Sequence, residues 1–253
     1  PHPRLRRQRQ MCIRDRRQHS GEHPRLGVVD VCPFIPLRDV SMEACADMAR
    51  TVVARLAERG DIPLFLYGAA ASCDERTVLS RLRKGEYEGL EARLKGTDTV
   101  HDDDTRLPDA GAMAWTETVA RSGGITVGAR PILVAYNVNV DEKDARVARK
   151  IGSIVRTSGR MLKSEQGGKI RSHGMLKGVQ GMGVQVEELG ISQVSMNLLN
   201  VKDCPLHLAF KTCESLANDH ETSLCGSEIV GLVPLQAMIS CLLYTSDAAD
   251  EVA

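Results

Sequence analysis

A histidine set directly ahead of a proline stands near the start of this sequence, in Gly21-Glu22-His23-Pro24-Arg25-Leu26-Gly27, with the apolar run Val28 to Pro36 behind it. Pro24 fixes its own φ and drives His23 toward an extended conformation, so the imidazole is held at a defined place before a strand. With a reference pKa of about 6.5, such a group can take up and return a proton near neutrality. Spacing alone leaves open whether His23 moves protons or is one of seven histidines serving as polar filler. Asp30 interrupts the apolar run and is a candidate partner for His23 or for a substrate; a solvated aspartate at a strand end would look the same.

The elements that must position these groups follow in order. Val28 to Phe34 reads as a mostly buried strand, and Ser41 caps a helix whose apolar positions Cys45, Met48, Ala49, Val52, Val53, Leu56 and Ala57 recur at helical spacing up to Gly60. Ile62 to Gly68 is the next strand, with Pro63 at its start. Residues 73–96 are charged and read as a solvated helix pair, while 97–124 form a long aperiodic stretch that is either disordered or functional.

Strict alternation then takes over. In the strand ending at Val140, Ala135, Asn137 and Asn139 share one face, opposite Tyr136, Val138 and Val140. From Ile191 to Leu198 the same device puts Gln193, Ser195 and Asn197 opposite Val194, Met196 and Leu198. Amides are poor strand formers, so two such rows point to a shared polar cavity, although water-facing strands would also alternate. Between them lie a helix from Asp141 to about Ser158, a Gly/Lys-rich turn region at 158–173, and the glycine-rich run Gly174 to Gly183, which carries Lys177. That run matches neither a phosphate loop nor a dinucleotide fingerprint, and Lys177 reads as a carboxylate partner or an exposed strand-end lysine. A helix with Leu206, Phe210, Cys213, Leu216 and Ala217 inward precedes a last strand. The alternation of strands and helices is an α+β plan in two ferredoxin-like halves.

Composition narrows the classes of function. The chain has 253 residues, 42% of them hydrophobic, and a net charge of 0, as an ordinary globular protein does. Aromatics, at 3%, are too few for a base-stacking surface, so no nucleic-acid partner is expected. Eight cysteines contain no C-x-x-C pair and fall mostly in apolar runs, which predicts reduced thiols, no metal site and a cytoplasmic location. No apolar run reaches the roughly 18 residues of a membrane span. Residues 1–19 hold seven arginines against one acid, and with 241–253 they resemble translated adapter sequence; both are set aside as non-native tails.

Several phrases resemble one family. Gly-Glu-His-Pro-Arg-Leu-Gly-Val-Val-Asp-Val-Cys-Pro-Phe-Ile-Pro at 21–36, Gly-Glu-Tyr-Glu at 85–88, Pro108-Asp109-Ala110-Gly111, Ser122-Gly123-Gly124, Gly174-Met175-Leu176-Lys177 and Gly226 to Leu235 are similar to segments of the formiminotransferase domain, found in formimidoyltransferase-cyclodeaminases and free-standing glutamate formimidoyltransferases. Ala112, where the family usually has proline, and a longer spacing to Gly123 are departures. The resemblance implies two tandem ferredoxin-like subdomains, here 20–129 and 130–240 and each truncated, packed sheet toward sheet around a folate tunnel. It implies transfer of a formimidoyl group between N-formimidoyl-L-glutamate and tetrahydrofolate, a step of histidine degradation, with tetrahydrofolate as co-substrate and a possible homodimer. Under it His23 is the catalytic group and Asp30 its orienting partner. Arg25, Arg130 and Lys177 would hold carboxylates, while Asp109, Gly111, Gly123, Gly124, Asn137, Asn139, Gln193 and Asn197 would line the folate site. Formyl transfer from N-formylglutamate and an inactive folate-binding fragment are the competing expectations. The cyclodeaminase domain has no counterpart in the chain.

Overall fold

The computed structural model describes residues 24–164 and 167–250, so His23 and the basic segment 1–19 lie outside the described residues. The chain divides into two compact units, Pro1–Pro131 and Ile132–Ala253, each an α+β arrangement with a four-stranded sheet.

In the first unit, β1 (Asp30–Phe34), β2 (Pro63–Gly68), β3 (Ala110–Gly111) and β4 (Ile125–Ala129) lie in the order β1-β4-β2-β3. β4 runs parallel to both β1 and β2, and β3 is antiparallel to β2. Every residue of β4 is buried, as expected of a central strand with parallel neighbours on both sides. Helix α1 (Met42–Ala57) starts where the Ser41 hydroxyl accepts the Ala44 N–H at 3.1 Å. It packs Cys45, Ala46, Ala49 and Val53 onto the sheet. Met48 and Leu56, expected inward, are exposed, because the buried stripe turns toward Ala46, whose small side chain lets the helix approach β4.

The charged stretch after β2 is not a solvated helix pair. Short helices α2 (Leu79–Leu82) and α3 (Leu90–Leu94) bury Leu82, Leu90 and Leu94 with Leu26, Phe65 and Tyr67. Arg93, 1% exposed, stays in this core because backbone carbonyls replace its water: Nε donates to Arg106 O at 2.7 Å, Nη1 to Leu82 O at 2.9 Å and Nη2 to Thr105 O at 2.5 Å. Its guanidinium also lies over the Phe65 ring at 4.3 Å. Burial, together with the neighbouring Arg76 charge, brings the Arg93 pKa down to about 10. The aperiodic stretch that follows is ordered by α4 (Asp103–Arg106), β3 and α5 (Glu117–Ser122).

The second unit contains β5 (Val134–Val140), α6 (Arg146–Val155), the hairpin β6 (Arg160–Lys163) and β7 (Lys169–Ser172), then β8 (Val179–Val186), β9 (Ile191–Leu198), α7 (Leu206–Asn218), β10 (Leu224–Val230) and α8 (Leu235–Asp250). The hairpin occupies what the sequence presents only as a turn region. The main sheet runs β10-β5-β9-β8 with all three pairs antiparallel, the split βαβ order of a ferredoxin-like unit. The first unit, with two parallel pairs, shares the α+β class but not this pairing.

Alternation sets the two faces of the second sheet. Val134, Tyr136, Val138 and Val140 with Val194, Met196 and Leu198 form the core against α6 and α7. The glycine-rich run supplies a seat for α6. A Cβ on Gly183 would lie 2.1 Å from the Arg149 nitrogen, so the helix backbone rests directly on β8 at a position that tolerates no side chain. The buried thiols Cys204 and Cys213 are pushed up, by burial, to about 11 and about 12, which leaves them inert. Helix α8 continues through Asp250, so residues 241–250, read from the sequence as part of a tail, extend a helix that begins within the unit.

Candidate functional site

Two places gather the residues singled out by sequence, one in each unit. In the first unit it is the segment that leads into β1. Its strand begins at Asp30 and not at Val28, because Val28 N–H donates to Ser122 O at 2.7 Å and Asp30 turns the chain at φ 53°. The Asp30 carboxylate is used twice within this bend: Oδ1 accepts Leu26 N–H at 2.6 Å and Oδ2 pairs with Arg83 Nη2 at 2.5 Å. Arg83 also donates to Pro24 O, so one guanidinium ties both ends of the 24–30 bend. Asp30 is therefore a positioning group for the segment that follows His23.

Arg25 is already partnered as well. Its Nη2 meets Glu88 Oε1 at 2.6 Å, Glu86 stands at 3.6 Å, and the guanidinium lies 5.9 Å from the Tyr87 ring centre. Tyr87 N–H donates to Arg25 O at 2.8 Å, and its hydroxyl reaches Ala120 O at 2.5 Å. The Gly-Glu-Tyr-Glu phrase is thus the clamp of this segment. Sequence reasoning assigned no role to Arg83, Tyr87 or Glu88, although the Gly-Glu-Tyr-Glu phrase at 85–88 was among the family-like segments; the resemblance marked the place but not the partners.

The glycines close the other side. Gly27 bridges Gly123, which sits at φ 67°, and a Cβ on Gly123 would meet Leu26 O at 2.3 Å. Gly124 N–H donates to Leu26 O at 3.1 Å, and its Cα faces the Phe65 and Leu26 side chains. Gly123 and Gly124 consequently share a corner with Arg25 and Asp30. Asp109 and Gly111 lie beside β2, the first just before β3 and the second in it. The Asp109 carboxylate, 9% exposed, accepts Leu66 N–H at 2.7 Å and binds Arg76, itself 4% exposed. Arg130 stands just past the far end of β4, five residues and roughly 16 Å along the strand from Ile125, and donates to Pro131 O at 3.0 Å.

A buried His–Asp pair lies beneath this region. His101 Nδ1 and Asp98 Oδ2 are 2.6 Å apart, with side chains 5% and 8% exposed. Burial, reinforced by the Arg93 charge and opposed by Asp98, holds the His101 pKa below its ordinary value. The unfolded chain then takes up the proton first, so the His101 contribution is fully present above about pH 6.5 and is lost as pH falls from there toward the folded value. Urea unfolding at pH 7.5, 6.5 and 5.5 should show this loss, and His101→Gln should remove that part of the pH dependence; an unchanged slope in the variant would assign it elsewhere.

In the second unit the two amide rows lie side by side on one face. Register pairs Ala135 with Asn197, Asn137 with Ser195 and Asn139 with Gln193. β10 adds Glu228 opposite Asn137, and β8 adds Gln180 opposite Asn197. Gln193 Nε2 donates to Asn139 Oδ1 at 2.9 Å and to Glu228 Oε1 at 3.0 Å, while Asn137 Nδ2 donates to the same Oε1 at 2.9 Å. Asn197 Nδ2 reaches Gln180 Oε1 at 3.5 Å. The hydrogen bonds from Asn137 and Gln193 hold Glu228 below the usual carboxylate range. Glu228 escaped sequence reasoning, although a glutamate inside an alternating strand is an unfavourable choice that invites a reason. Lys177 lies outside this face, exposed, with Nζ 3.5 Å from Asp203.

Among the described residues no group of three or more His, Cys, Asp or Glu side chains could hold a metal, and no helix is long and apolar enough to cross a membrane.

Fold and faces together define a protein of two tandem α+β units, the second with an amide-rich sheet face presented opposite its helices. Comparison with known proteins gives the family. The model of the formiminotransferase domain, N-terminal subdomain, matches residues 11–130, and that of the formiminotransferase domain matches 135–251. A glutamate formimidoyltransferase of Streptococcus pyogenes serotype M1 is 36% identical over 236 residues, covering 93% of this chain and 71% of the relative. One from Thermoplasma acidophilum is 34% identical over 234 residues, covering 92% and 69%. The formimidoyltransferase-cyclodeaminase of Rattus norvegicus is 39% identical over 236 residues, covering 92% of this chain and 40% of its own length. The chain belongs to the formiminotransferase family, and it spans about two fifths of the length of its cyclodeaminase relatives.

Proposed function

We propose that the protein is a glutamate formimidoyltransferase, moving a formimidoyl group between N-formimidoyl-L-glutamate and tetrahydrofolate in histidine degradation. The observation that carries this reading is the match of both formiminotransferase models, which between them span 11–130 and 135–251. In the forward direction N5 of tetrahydrofolate attacks the amidine carbon and gives a tetrahedral intermediate. The bond from that carbon to the glutamate nitrogen then breaks. N5 must lose a proton and the departing nitrogen must gain one, so a single group titrating near neutrality serves both steps. His23 is that group. Asp30, tied to Arg83 and Leu26 N–H, keeps the following segment in register with it.

The amide face of Asn137, Asn139, Gln193 and Asn197 supplies donors and acceptors in neighbouring positions, as recognition of a heteroaromatic ring requires. Arg130 and Lys177 are the cations assigned to the carboxylates of folate and glutamate. Arg25, engaged by Glu88, reaches such a group only by exchanging partners, so its place is the clamp. Asp109, Gly111, Gly123 and Gly124 act through the backbone they hold. A cytoplasmic homodimer completes the reading.

The test is a paired assay with tetrahydrofolate and either N-formimidoyl-L-glutamate or N-formyl-L-glutamate. Turnover at least tenfold faster with the formimidoyl donor is expected. Preference for the formyl donor would replace the reaction but keep the folate; turnover with neither would refute the activity.

A further inference from the structure

Glu228 is the one charged side chain that the four strands of the second sheet place on the amide face. Strand β10 lies at the edge of that sheet, where an acidic residue could serve merely to discourage pairing with another chain. Such a role needs no fixed geometry. Here the carboxylate is fixed: Oε1 accepts from Asn137 at 2.9 Å and from Gln193 at 3.0 Å, and Gln193, 7% exposed, spends one nitrogen on both Glu228 and Asn139. Oε2 has no hydrogen bond among the described residues, and Glu228 is an exposed residue. Immobilising an exposed carboxylate sacrifices side-chain freedom, and preorganisation for a ligand is the usual return for that loss.

The surroundings identify the ligand chemistry. A carboxylate with neutral amides beside it presents acceptors next to groups that both donate and accept. A formamidinium group offers donors alone and would leave those amides unmatched. The pyrimidine edge of a 2-amino-4-oxopteridine offers two adjacent donors, N3–H and the 2-amino group, flanked by the acceptors O4 and N1, so carboxylate and amides are both satisfied.

We infer that Glu228 is a specificity-determining residue for the reduced folate, accepting hydrogen bonds from N3–H and the 2-amino group of its pteridine ring, an assignment that rests on the formimidoyltransferase reading. The contact is remote from N5, where bonds change, so it governs affinity and choice of ring and leaves proton transfer to other groups. Asn137 and Gln193 position Glu228 and keep it ionised.

The experiment measures dissociation constants of the full chain and of Glu228→Gln for tetrahydrofolate and for its 2-desamino-2-methyl analogue, which lacks one donor. The wild-type chain should prefer tetrahydrofolate by about tenfold or more, the usual effect of losing a hydrogen bond to a charged partner. Glu228→Gln should weaken tetrahydrofolate by a similar factor, weaken the analogue less because only its N3–H still meets the side chain, and so shrink the preference. Its thermal midpoint and its KM for N-formimidoyl-L-glutamate should stay at the wild-type values. Unchanged tetrahydrofolate affinity in the variant would overturn the inference while leaving the activity standing, as would a preference that survives the substitution at full size. Loss confined to the formimidoyl donor would overturn it too, by assigning the carboxylate to the amidine. Failure of the wild-type chain to bind tetrahydrofolate at all would refute the formimidoyltransferase reading itself, and this inference with it.

Discussion

Asp109→Ala should destabilise the first unit by about 3–5 kcal/mol, the cost of leaving a buried partner charge uncompensated. Removing this carboxylate takes the counter-charge from the Arg76 guanidinium, 4% exposed, whose Nη2 keeps Leu107 O as acceptor, and deprives Leu66 N–H of its acceptor in the middle of β2. A loss of that size is a large part of the stability of a typical domain, so the variant should unfold at much lower urea concentration. The double substitution Asp109→Ala with Arg76→Met should recover much of the loss, since it also removes the buried charge that Asp109 balances. If the single variant loses less than about 1 kcal/mol yet binds folate poorly, Asp109 contacts the ligand and its pairing with Arg76 is incidental.

Turnover is the second large effect. His23→Ala should reduce it by about a hundredfold or more, the usual consequence of losing a general acid-base group, with tetrahydrofolate affinity within a few-fold of the starting value. The loss should appear equally in kcat and kcat/KM, because proton transfer is needed in the transition state and not for binding. Near-normal turnover would show that another group moves the protons. A variant that fails to fold would give His23 a structural role.

What the sequence made legible follows from how local each signal is. Ser41 and Gly60 bracket α1 correctly because capping depends on residues three or four apart. The faces of β5 and β9 came out of alternation, which needs only a period of two, and register then brought Asn137 and Ser195 opposite each other. Partners far apart in sequence were not legible. Nothing local joins Asn137 to Glu228, ninety-one positions away, or Arg83 to Asp30, fifty-three away. Charge also misled: the Arg-rich helices after β2 read as solvated, yet Arg93 is buried because three carbonyls and the Phe65 ring replace its water. The hairpin of β6 and β7 was hidden because polar residues and Gly167-Gly168 read as turn throughout.

The direct seating of α6 on β8 bears on how this family can change over generations. At Gly183 the smallest possible addition meets backbone, so a substitution on the helix-covered side would push a whole helix and cost stability. The opposite face has no such constraint: its amides are exposed or half-buried, except for Gln193, and exchanging one for another leaves the packed layer untouched. A sheet with one frozen side and one rewritable side lets the preference set by the proposed folate face diverge by single substitutions while the scaffold stays the same. Relatives that accept different folate forms or different one-carbon groups should therefore differ at the positions of Asn137, Asn139, Ser195 and Asn197 far more often than at Gly183.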